Sequence, residues 1–268
     1  MSNVLAPLRC VATGVLVGLI WKWDFFRFAD QVYQTIPIQD AFFPVWFRNA
    51  LVLRWAYLAT VASILVVLVV RGSQTGSATY WIRLVASMGS CLGSTILICH
   101  QGSYNDVTFM TAWWGAVLLV WYSWRIGIDE PAVLISKANT LCQAVISLIF
   151  LGGAVGKWTQ EYWSGQVLYE IYFQERDFWF FRSLRNHLQA DELRTFATYY
   201  SRLVVTVESL GALIWTLGYF FSSRTITVLV IVTVSSIGLL SNFALFSVLA
   251  PMIGLAMTGW FDHSRKHG

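Results

Sequence analysis

Apolar runs of helix length recur along this chain, at residues 4–23, 50–70, 79–99, 107–124, 138–155 and 198–221, with a longer one at 225–261. A helix needs about 20 mainly apolar residues to cross a bilayer, because the hydrocarbon layer is ~30 Å thick and a helix rises ~1.5 Å per residue. The last run is too long for one span. Ser241-Asn242 near its middle offers a turn between two short helices, and a single helix kinked at Pro251 is the alternative. The runs are continuously apolar and do not alternate with period two, which argues against a barrel. With 57% hydrophobic and 12% charged residues, the 268-residue chain has too little polar surface to cover a water-soluble globule. The expected fold is therefore all-α: a polytopic transmembrane helical bundle of about eight spans, one integral membrane domain over residues 1–268, with the lipid bilayer as its main partner.

The connections carry the topology. Residues 24–47 are aromatic and charged, contain Pro37 and Pro44, and read as interfacial. The first run lacks a small-residue cleavage site and continues into Trp21-Lys22-Trp23, so it reads as a retained anchor. Arg9, Arg71, Arg83, Arg125, Lys137, Arg224, Arg265 and Lys266 fall on one side, as loop and terminal residues, while the loops around Asn105 and Asn242 carry no Lys or Arg. Cytoplasmic loops carry the excess of basic residues, which puts both termini in the cytoplasm of a multi-pass protein of the cell inner membrane. Arg176, Arg182, Arg185 and Arg194 lie on the opposite side and argue against it. The net charge of +4 is then mostly a topology signal and makes no case for nucleic-acid binding.

Several chemistries find no support. Cys10, Cys91, Cys99 and Cys142 lie within the runs without a CxxC pair, and read as small buried apolar residues. His100, His187, His263 and His267 are scattered and form no metal-ligand cluster. There is no Walker-type phosphate loop, nucleophile elbow or histidine pair for haem, and no inverted repeat of broken helices. No cofactor is identified, and whether the chain is an enzyme stays open. Gly14-xxx-Gly18, Gly89-xxx-Gly93 and Gly152-xxx-Gly156 each put two small residues on one helix face, which suits close helix packing. Trp113-Trp114, Trp121, Trp124, Trp158, Trp163 and Trp260 sit near run ends, where indole rings settle at headgroup level.

Ionisable residues inside the runs carry more information. A charge at membrane depth costs roughly 2.5–3.5 kcal/mol on insertion scales and is rare unless paired or facing a polar cavity. Glu208 lies well inside its run, whereas Arg54 and Arg202 are close enough to run ends to snorkel. Glu208 is thus either the structural partner of a base or part of a functional cavity. Lys157 closes the fifth run and opens the string Gly156-Lys157-Trp158-Thr159-Gln160-Glu161-Tyr162-Trp163-Ser164-Gly165. Beyond it Val167, Leu168, Ile171 and Tyr172 recur at helical spacing and Phe178-Trp179-Phe180-Phe181 follows, a pattern suited to an interfacial or re-entrant helix. A lysine at a helix end beneath such an aromatic lid is a candidate base.

The string Gly153-Ala154-Val155-Gly156-Lys157 through Tyr162-Trp163-Ser164-Gly165 resembles the membrane domain of vitamin K-dependent gamma-glutamyl carboxylase and the wider set of HTTM (horizontally transferred transmembrane) and DoxX-like proteins. Ser103-Tyr104-Asn105-Asp106, the position of Glu208, and Asn242-Phe243-Ala244-Leu245-Phe246-Ser247 resemble further stretches of that family in the same order. The resemblance implies that Lys157 corresponds to the base that acts on reduced vitamin K. It departs at Val107 and Leu239, which stand where the carboxylase has histidines, and the 268 residues leave no room for the extramembrane domain that holds a peptide substrate. Glutamate carboxylation is therefore not expected. Two functions follow. One is a hydrophobic pocket for a quinone or other lipid, with Lys157 as its catalytic candidate, and Asn105, Glu208, Trp158 and Asn242 as ligand-binding candidates, under cover of residues 158–181. The other is a non-catalytic scaffold or subunit that packs against membrane-protein partners.

Overall fold

Apolar runs that cannot satisfy their backbone polar groups through lipid must bond internally, and helices result. The computed structural model describes residues 4–27, 49–72, 76–100, 103, 106–174, 176–240 and 245–263. Every regular element among them is helical, and the one β-type pairing is an isolated bridge between Ile126 and Asp129. In chain order these are α1 (Ala6–Trp21), α2 (Trp23–Arg27), α3 (Ala50–Val69), α4 (Ala78–Cys99), α5 (Val107–Arg125), α6 (Pro131–Val155), α7 (Gln160–Trp163), α8 (Gln166–Leu168), α9 (Trp179–His187), α10 (Ala190–Gly211), α11 (Ile214–Leu217), α12 (Ser223–Leu240) and α13 (Phe246–Ala256). α8 runs on as a π-helix over Tyr169–Gln174, and α13 ends in a 3-10 turn over Met257–Trp260. Among the described residues, α3, α4, α6 and α12 are long and apolar enough to cross a membrane, and Ala6–Trp21 and Phe246–Trp260 are shorter apolar stretches. The interfacial stretch with Pro37 and Pro44, and the Ser241-Asn242 turn, lie outside the described residues.

The helices begin where their sequences supply caps. Asn49 accepts the Leu51 N–H at 2.9 Å, Ser77 the Tyr80 N–H at 3.2 Å, and Asp106 the Thr108 N–H at 2.8 Å, each satisfying a backbone donor that a helix start leaves unpaired. Two helices differ from the apolar runs. α6 starts at Pro131 and not near residue 138, because proline's fixed φ suits a first turn that has no use for its missing N–H. Lys137 consequently sits in a helix and not in a loop, 3.5 Å from Asp129. The run at 198–221 is not one helix. α10 starts early, where the Glu192 carboxylate accepts the Gln189 N–H at 3.0 Å, and it ends at Gly211, the poorest helix former after proline. α11 then restarts with the Trp215 N–H bonded to Ser147 Oγ at 2.8 Å.

The residues group into two compact units, one of residues 1–142 with 245–268 and one of residues 143–244, so that α6 contributes to both. In the first, α1 and α13 meet through small residues, as the Gly14-xxx-Gly18 spacing implies. A Cβ on Gly14 would lie 2.7 Å from the Ala250 carbonyl and 2.9 Å from Gly254 Cα. One on Gly18 would lie 2.4 Å from the Ser247 carbonyl, whose helical donor is missing because Pro251 stands four residues on. α3 and α4 pack likewise, Gly93 against Thr60 and the Ala56 carbonyl and Gly89 against Ser63. The ends of this unit are tied by polar contacts. Lys22 pairs with Asp106 at 2.6 Å and the Tyr57 hydroxyl donates to the Leu19 carbonyl at 3.0 Å at one end. At the other, the Tyr122 hydroxyl donates to the Val4 carbonyl at 2.7 Å and Asn139 to Asp262 at 2.9 Å. Arg83 is fully buried in the second turn of α4 and not in a loop; its guanidinium donates to the Gly72 carbonyl, and its Nε and Nη2 have no partner among the described residues.

The second unit holds a core of its own. Phe173 and Phe181 are fully buried, with Leu168, Leu193 and Ala197, and Tyr172, Phe178, Phe196 and Tyr200 pack around them. Their rings meet largely edge-on, the geometry aromatic quadrupoles favour; Phe173 and Phe181 have centroids 5.0 Å apart. Arg185 reaches back from α9 and donates to the Phe173 and Arg176 carbonyls, both at 3.0 Å, closing the end of the π-helix.

Candidate functional site

Lys157 follows the last turn of α6, where carbonyls without helical donors favour a cation. Its ammonium donates to the Gly153 carbonyl at 3.2 Å and to Glu208 Oε2 at 2.6 Å, across 51 residues of sequence. Gly153 makes this meeting possible. A Cβ there would lie 3.0 Å from Glu208 Oε2 and 3.7 Å from Lys157 Nζ, so the missing side chain is the space in which the pair forms. One residue on, the Trp158 indole donates to Ser209 Oγ at 3.0 Å, and that hydroxyl donates to the Val205 carbonyl at 2.7 Å. Two successive residues after α6 thus bond two successive residues of α10.

The chain then runs antiparallel along α10. The carbonyls of Tyr162, Trp163 and Ser164, at the end of α7, accept from Ser201 Oγ, Arg202 Nε at 3.2 Å and Thr198 Oγ1 at 2.8 Å. These side chains bond the carbonyls at the end of a four-residue helix, of which Tyr162's also accepts the Gly165 N–H at 3.0 Å. Arg202 therefore bonds Trp163 instead of only reaching for a surface, and its guanidinium lies 5.8 Å from the Trp163 ring. Gly165 closes the turn at φ +81°, and a Cβ there would sit 2.5 Å from Thr198 Cα. Only glycine meets both demands. At the start of α7 the Glu161 carboxyl is held below the ordinary carboxylate range by hydrogen bonds from its own backbone N–H and the Thr159 hydroxyl.

The Lys157 and Glu208 side chains are 24% and 14% exposed. An ammonium has three donors, of which two are used here, and Glu208 Oε1 is left without a partner among the described residues. A bound molecule would find one N–H donor beside one carboxylate acceptor. Asn105 and Asn242 lie outside the described residues, so no geometry joins them to the pair. Asp106, next to Asn105, is engaged with Lys22 and with the N-terminus of α5. Among the described residues no group of three His, Cys, Asp or Glu could hold a metal ion.

Gly153 and Ser209 are the two site residues that sequence reasoning missed. Gly153 stands four residues before Lys157 and so on the same helix face, which is the signal that could have found it. The pair Gly152-xxx-Gly156 does not pack as expected. No described atom of a neighbouring element lies within 4 Å of a Cβ on either glycine, because the face α6 turns to α10 is centred one residue away. No family model matches the chain, and no characterised protein or solved structure is similar to it at a significant level.

Proposed function

We propose that this protein is an integral membrane protein that binds a quinone or another lipid-like molecule with a hydrogen-bonding head at the Lys157–Glu208 pair. The observation that carries the reading is the unused capacity of that pair: among the described residues an ammonium N–H and a carboxylate oxygen stay unpaired side by side, both partly open, where an unneeded charge would be costly. A quinone carbonyl accepts from such a donor, and its reduced form donates to such an acceptor. Trp158, beside the pair, gives a flat apolar surface for a ring. The likeness of the Lys157 string to the carboxylase membrane domain and the HTTM and DoxX-like proteins supports the same ligand class. In this reading the chain crosses the membrane about eight times with both termini in the cytoplasm, residues 158–181 form an interfacial or re-entrant cover, and Asn105 and Asn242 complete the pocket.

A second reading, a non-catalytic scaffold or subunit, draws on the closeness of the same pair. At 2.6 Å the two charges neutralise each other and need no ligand. Gentle extraction of wild type and Lys157→Ala, with mass analysis of the retained small molecules, separates the two. The pocket reading expects a quinone or prenyl lipid in wild type that is lost in the variant while helix content is kept. Identical retained lipids, folding and assembly leave the scaffold.

A further inference from the structure

In the first unit, α1 and α13 border a groove of about 370 Å³ beside their glycine contact. Arg9, Thr13 and Val17 line it from α1, and Phe246, Ile253 and Met257 from the other side. A space of this size suits one hydrocarbon chain. Its volume falls at the lower end of the ~300–1,000 Å³ of small-molecule sites.

Charge selects which lipid. Arg9 is the one ionisable side chain with a fixed charge in the lining, it stands at one end of the groove, and its guanidinium has no hydrogen bond or ion pair among the described residues. The same end of the unit carries Arg83, whose buried guanidinium donates to the Gly72 carbonyl, and Arg125 and Lys137, which share Asp129. Cationic side chains near a membrane surface attract anionic headgroups, and a guanidinium fork matches two phosphate oxygens. We infer that the α1–α13 groove holds one acyl chain of an anionic phospholipid whose phosphate is bound by Arg9. This site is separate from the Lys157–Glu208 pair and does not rest on the function proposed for it.

The test uses the full chain in nanodiscs of phosphatidylcholine and phosphatidylglycerol in equal parts, with native mass spectrometry reading which lipid stays bound. Wild type retains phosphatidylglycerol in preference to phosphatidylcholine. Arg9→Gln lowers that preference about fivefold, the effect of one cation near the headgroups, while Arg9→Lys keeps most of it. Thr13→Phe, at an exposed position, fills the groove and abolishes retention of both lipids, with circular dichroism showing unchanged helix content. Equal retention of the two lipids by wild type, no change with Arg9→Gln, or full retention with Thr13→Phe would each overturn the inference. So would a dimer mass whose contact is lost with Thr13→Phe, which would assign the groove to a second copy.

Discussion

The α1–α13 seam and the α6–α10 contact both depend on helical glycines, and they use them for opposite ends. At Gly14 and Gly18 the absent side chain lets two backbones touch, and Gly18 faces the very carbonyl that Pro251 deprives of its helical donor. At Gly153 the absent side chain admits a carboxylate and an ammonium. The first arrangement tolerates no added atom, because the neighbours are main chain that cannot move alone. The second meets the ends of two flexible side chains, which can. Small residues at helix contacts are thus not one device: what lies opposite decides whether they create dispersion contact or a polar site.

Gly18→Ala should cost the most. Its methyl would sit 2.4 Å from the Ser247 carbonyl and 2.8 Å from the Pro251 ring, so the seam must open, at a cost of about 3 kcal/mol or more. Thermal unfolding in detergent should show a large drop or a loss of folded yield. Next in size is the ion pair. Glu208→Leu leaves the Lys157 ammonium without its carboxylate and should cost about 2–3 kcal/mol, less than the loss of a fully buried pair because both side chains are partly exposed. The double variant Lys157→Met/Glu208→Leu should recover most of that, since two apolar groups of similar volume leave no uncompensated charge.

The adjacent glycines Gly152 and Gly153 of α6 should respond in opposite directions. Gly153→Ala should cost about 1 kcal/mol, because the Glu208 carboxylate must retreat from a Cβ at 3.0 Å. Gly152→Ala, where nothing faces the new methyl, should stabilise by about 0.5–1 kcal/mol through helix propensity alone. Opposite signs at neighbouring positions would be hard to obtain any other way. The smallest effect lies outside the spans. The Arg125 side chain, hydrogen-bonded to Asp129, holds that carboxyl below its ordinary range, with Lys137 adding to it. A carboxyl whose folded pKa is depressed contributes stability above its unfolded value near pH 4, and loses it as pH falls through the folded value. Unfolding of wild type and Asp129→Asn should therefore differ slightly at pH 6 and converge as pH falls below about 4.

Helix existence was legible because apolar length is a direct physical requirement, and helix limits were less so. Pro131 and the Gln189–Glu192 cap extend two helices beyond their apolar runs, since capping is local chemistry that hydropathy does not weigh. Lys157 and Glu208 stood out as charges in apolar surroundings, but their meeting depends on the register of α6 against α10. The glycine spacing pointed to Gly152 and Gly156, and the true contact is centred on Gly153. A charge is expected at an edge, which puts Arg83 in a loop, yet α4 begins five residues earlier at Ala78 and buries it. The aromatic core around Phe173 was visible only as one apolar underside; that Phe173, Phe181 and Tyr200 converge follows from the π-helix turning Phe173 inward.

If the Lys157–Glu208 pair holds a lipid-like molecule, as proposed, the Lys157→Met/Glu208→Leu variant must lose it, because that variant keeps the fold while removing both polar groups. Mass analysis of small molecules extracted with the purified protein should find a quinone or prenyl lipid with wild type at near one per chain and none above background with the variant. Equal amounts with both proteins, at equal thermal stability, would contradict the account and leave the pair as a structural cross-link between two helices.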